Sequence, residues 1–64
     1  MWAKFMEVSN AYVAEMWKEL FNAEALAVLV VPASGWQEAA ELEPHVIYVP
    51  WGKAHVAREI LRKV

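Results

Sequence analysis

Two histidines, eight carboxylates that are all glutamate, and two serines are the side chains of this chain best suited to chemistry. Cysteine, aspartate and threonine do not occur. Nucleophilic catalysis needs a hydroxyl or thiol beside a base that a third group orients. Ser9 and Ser34 both stand where a helix cap is expected, and neither sits in a G-x-S-x-G turn. A Ser-His-Asp triad has no aspartate to draw on. Two glycines, Gly35 and Gly52, are too few for a Walker loop or a dinucleotide fingerprint. The amides after Gly52 and Lys53 could hold an anion weakly at a helix start, although an ordinary turn and cap explains the same residues.

Metal ligation fails on geometry. His55 and Glu59 are one helical turn apart and make half a site, which more simply forms a surface ion pair. Glu41, Glu43 and His45 alternate along an extended segment. At ~3.3 Å per residue, the strand that His45 opens carries the chain about 15 Å before the helix that holds His55 begins. The two imidazoles therefore belong at opposite ends of the domain. The expectation is no catalytic residue, no metal site and no cofactor.

The elements that position these groups read as follows. Trp2–Val8 has the β-favouring residues of a strand, and Ser9 and Asn10 follow as capping residues. From Ala11 to about Glu24, Val13, Met16, Trp17, Leu20 and Phe21 recur at helical spacing. Leu26–Val31 is a continuous aliphatic run stopped by Pro32, which suits a strand covered on both faces. Ser34 to Gln37 has capping-box spacing, so a short helix from Gly35 to about Leu42 competes with a long hairpin loop. His45–Val49 is the third strand, Pro50-Trp51-Gly52 a turn, and Lys53–Lys63 the second helix, with Val56, Ala57, Ile60, Leu61 and Val64 on its buried side.

The order β-α-β-β-α predicts a single α+β domain over residues 1–64, of ferredoxin-like, split βαβ type. It has a three-stranded antiparallel sheet with helices on one face, and the third strand lies between the first two. The first strand keeps an unpaired edge, because the residues run out before a fourth strand. No repeat, linker or low-complexity tract interrupts the chain.

Composition bounds the partners. The net charge is −2 and the isoelectric point about 5.6. Lys53, Arg58, Arg62 and Lys63 gather near the C-terminus, too few for a nucleic-acid footprint and well placed against a helix C-terminus. The longest apolar stretch, Ala25–Ala33, falls far short of the ~20 residues of a membrane span. Glu7 interrupts any leader-like run at the N-terminus. A cytoplasmic protein that binds neither nucleic acid nor membrane is expected. The hydrophobic share is 59%, against a typical ~45–50%, and so small a domain has little interior to hide it in. Assembly would cover the surplus.

Three stretches resemble a known family. Phe5-Met6-Glu7-Val8-Ser9-Asn10, the helix Ala14-Glu15-Met16-Trp17-Lys18-Glu19-Leu20-Phe21-Asn22-Ala23-Glu24, and Val46-Ile47-Tyr48-Val49-Pro50 with Ala54, Ala57, Ile60 and Leu61 are similar to the prokaryotic signal-transducing protein family. That family comprises small domains of the PII-like, ferredoxin-like group. The helix is similar to its "AE…LLEAEG" pattern, and the last stretch resembles its "V.VP…A..ILL" ending. Together the stretches cover most of the chain. The resemblance implies a sensing or protein-interaction module and brings no catalytic residues with it. The chain departs from the pattern at Ala25, where the family favours glycine, and at Ala27, where it often has proline. Without glycine at the left-handed cap position, a different exit from the first helix is expected.

The four tryptophans and the strands indicate where binding would occur. Trp17 belongs to the apolar helix face. Trp2 is on the edge strand, and Trp36 and Trp51 lie in or beside loops, where large aromatics mark interfaces or line flat-ligand pockets. In the second and third strands both parities are apolar, Val28 and Val30 against Leu29 and Val31, and Val46 and Tyr48 against Ile47 and Val49. A sheet face left without helices would then be apolar as well. The leading expectation is a non-enzymatic assembly or signalling module, a homodimer or a protein partner's counterpart. Its contacts would run through Trp2, Phe5, Val28, Val30, Val46 and Tyr48 by sheet packing, or by pairing along the Trp2–Val8 edge. A small-molecule sensor with its ligand near Trp36, Trp51, Lys53 and His55 is the alternative. A dimeric α+β barrel enzyme using His45 or His55 as general base is a third.

Overall fold

A computed structural model describes residues 1–34 and 43–63. The short helix or loop expected between Gly35 and Leu42, with Trp36, Gln37 and Glu41, lies outside the described residues. The described elements are β1 (Trp2–Val8), α1 (Ala11–Ala23), β2 (Leu29–Pro32), β3 (His45–Pro50) and α2 (Ala54–Lys63). This is an α+β arrangement in which β3 pairs antiparallel with both other strands, giving the sheet order β1-β3-β2.

α1 begins where Asn10 adopts an extended conformation and its Oδ1 accepts the Val13 amide at 2.9 Å. That bond occupies one of the helix's otherwise free N–H groups. The helix buries Ala14 and Phe21, with Val13, Trp17 and Leu20 packed beside them. Met16, expected on this stripe, is exposed. At 3.6 residues per turn it points about 100° away from Trp17, off the stripe that Ala14, Trp17 and Phe21 define. Phe21 meets Phe5 edge-on, with ring centroids 6.1 Å apart, and stacks on Trp17 at 5.9 Å.

The end of α1 corrects two expectations. Ala25 takes the left-handed conformation, φ 66°, although it is not glycine. Its amide donates to Asn22 O at 3.0 Å and that of Leu26 to Phe21 O at 2.9 Å. This is the exit a glycine would have given, a Schellman motif, closed by contact of Leu26 and Phe21 in the core. Leu26 is thus committed to the helix end, and β2 starts at Leu29 rather than Leu26. Pro32 closes β2, which is tolerated because β2 pairs with β3 alone.

Ile47 and Val49 of β3 are fully buried at the centre of the core, where Ala57 and Ile60 of α2 join them. α2 starts one residue later than expected. Gly52 turns the chain at φ 91°, and Lys53 O accepts the amides of Val56 and Ala57. Between Lys4 and Met6 the β1 ladder carries a bulge. Phe5 and Met6 consequently both pack toward the core.

Candidate functional site

Residues paired across a sheet share a face, and neighbours along a strand alternate. Ile47 and Val49 fix the helix side, so their partners Met6, Val30 and Ala3 belong there too. The opposite, open side then carries Val46, Tyr48 and Pro50 of β3, Leu29 and Val31 of β2, and Trp2 of β1. Val46 on this side is buried, 9% exposed, although it is not part of the cluster that the helices cover. Trp2 at 44% and Leu29 at 38% exposure present large apolar surface around it. Lys4 and Glu7 share this side and approach each other to 3.8 Å.

Of the six residues expected to make contacts, Trp2, Val46 and Tyr48 lie on the open side. Phe5, Val28 and Val30 pack against the helix-covered core instead. The parity of β2 could not be read from a run that is apolar at every position; pairing with Ile47 assigns it, and Leu29 and Val31 take the open side. The edges offer less. β1 is interrupted by its bulge and carries Lys4, and β2 has four residues and ends in proline. These are the devices that keep sheet edges from pairing with other chains.

Trp51, Lys53 and His55 are all exposed in and after the β3–α2 turn, Trp51 at 75%, and Trp36 lies outside the described residues. Glu59 binds Arg62 at 3.1 Å rather than His55. Among the described residues no three His, Cys, Asp or Glu side chains gather as metal ligands would. His45 opens β3 and His55 follows its far end. His45 is on the helix side, 7% exposed, with Nδ1 2.8 Å from Glu43 O.

The site that sequence reasoning missed is a groove of about 380 Å³ where α1 meets β2. Ala11, Ala14, Val28, Leu29 and Val30 supply its apolar lining, and Glu15, Lys18 and His45 its polar groups. No spacing links residues of α1, β2 and β3, so only the packing of these elements reveals it. Comparison with protein families, with curated proteins and with solved structures gives no match.

Proposed function

We propose that the chain is a non-enzymatic assembly or signalling module that pairs with a second copy through the open side of its sheet. The observation that carries this reading is the apolar surface of Trp2, Leu29, Val31, Tyr48 and Pro50, set around the buried Val46, on the side that no described helix covers. Two such sheets stacked face to face would remove it from water at a spacing of ~10 Å. A two-fold interface presents the same patch on both copies, so the patch must complement itself. Lys4 and Glu7 supply that property. A two-fold axis passing between them sets Lys4 against the partner's Glu7 and Glu7 against the partner's Lys4. The bulged and proline-ended edges favour this route over strand addition.

In this reading the sheet is of the ferredoxin-like type. The resemblance to the signal-transducing family accords with an interaction role, and the lack of cysteine and of a membrane-spanning helix among the described residues accords with a cytoplasmic location.

Isotope-filtered NMR on a mixture of labelled and unlabelled chains tests the geometry. Intermolecular contacts are expected among the methyls of Leu29 and Val31 and the rings of Trp2 and Tyr48. Intermolecular contacts confined to the helices, or none at all, contradict it.

A further inference from the structure

We propose that the groove between α1 and β2 binds a small apolar α-amino acid as a zwitterion. The groove shares Leu29 with the proposed interface, but its polar groups, Glu15, Lys18 and His45, are not part of that interface, so this inference does not depend on the dimer. Its volume, about 380 Å³, falls in the range of ligand sites, ~300–1,000 Å³.

The chemistry follows from three polar groups around apolar walls. Glu43 O can only accept a hydrogen bond, so His45 Nδ1 carries the proton that binds it at 2.8 Å. In the neutral ring Nε2 is then an acceptor. No protein group is bonded to Nε2 among the described residues, and it is not sealed from solvent, since no buried side-chain nitrogen there lacks a partner. The nine-tenths buried imidazole lines the groove, and its Nε2 serves in this proposal as the acceptor there. Glu15 and Lys18 stand three residues apart on α1, a spacing that allows an ion pair. Their charges do not pair with each other: the ion pairs of the described residues are Lys4–Glu7, Arg62–Glu59 and Lys63–Glu24. One anion, one cation and one neutral acceptor thus face a cleft walled by Ala14, Val28 and Val30.

A simple carboxylate would satisfy Lys18 and be repelled by Glu15. A simple amine would do the reverse. An α-amino acid satisfies both, with its ammonium donating to Glu15 and His45 Nε2, its carboxylate accepting from Lys18, and an aliphatic side chain against the walls.

NMR titration of the full chain with L-leucine tests this, beside isocaproate, which lacks the ammonium, and isoamylamine, which lacks the carboxylate. L-leucine is expected to shift the methyl signals of Ala14, Val28 and Val30. Each analogue is expected to bind about tenfold more weakly, the loss typical of a charge-assisted hydrogen bond. Glu15→Gln should cut the preference over isocaproate several-fold, His45 Nε2 keeping part of it, and Lys18→Met should abolish the preference over isoamylamine. Both side chains are exposed, so the variants keep the fold, which the unchanged core signals verify. Ring nitrogen shifts should place the His45 proton on Nδ1. Absence of any leucine-induced shift, equal binding of an analogue, or preferences that the two substitutions leave unchanged would overturn the proposal.

Discussion

Ala25 shows how a single residue can carry strain for the sake of a connection. An L-residue in the left-handed region costs roughly 1–2 kcal/mol, and the Schellman bonds to Asn22 and Phe21 hold Ala25 there. Ala25→Gly should therefore raise stability by about 1 kcal/mol, through relief of that strain less the extra freedom of glycine in the unfolded chain. Urea unfolding measures it, and a loss of stability would show that the exit is held differently. Ile47 is the opposite case, a fully buried side chain at the centre of the middle strand. Ile47→Ala should cost about 2–5 kcal/mol, enough to unfold much of so small a domain at ambient temperature. A mild effect would mean that the core is not built around β3. The exposed pair Lys63–Glu24, at 3.7 Å, joins the ends of the two helices. Lys63→Ala should change stability by less than about 1 kcal/mol.

The elements show what was legible in the sequence and what was not. The order of strands and helices follows from period and punctuation, because Trp2–Val8, the stripe of α1 and the β3 run each have a single reading. The cap at Asn10 was equally legible, since asparagine before a periodic segment has few other uses there. Asn10→Ala should destabilise by about 1 kcal/mol and unfold the first turn of α1 first, which amide exchange at Val13 reports. The start of β2 was illegible, because Leu26 serves a helix end that depends on a conformation alanine rarely adopts. The bulge at Phe5 was illegible for a related reason. It moves Phe5 and Met6 to the same side, against the alternation that a strand sequence implies. The facing of Val30 comes from pairing with Ile47 of β3, and an unbroken aliphatic run does not encode it. The groove at His45, Glu15 and Lys18 needs three elements to meet, so no local pattern announced it.

For the molecule as a whole, the central issue is how a small sheet with helices on one side disposes of its other side. A domain of this length buries only ~60% of the surface its unfolded chain exposes, and here large apolar side chains remain on the sheet side opposite the core. Stable interfaces cover ~800 Å² per partner, roughly a fifth of the 4390 Å² that the chain exposes. A change at the middle of the open side should therefore act on assembly more than on folding. Val31→Lys places a charge beside Val46 on that side while leaving the helix-covered core untouched. Sedimentation equilibrium of the unaltered chain and of Val31→Lys, with far-UV circular dichroism as the check on folding, tests this account most directly. A dimer at micromolar concentration that Val31→Lys converts to a folded monomer is the predicted result. A folded monomer of the unaltered chain at high micromolar concentration, or a dimer indifferent to Val31→Lys, would contradict it.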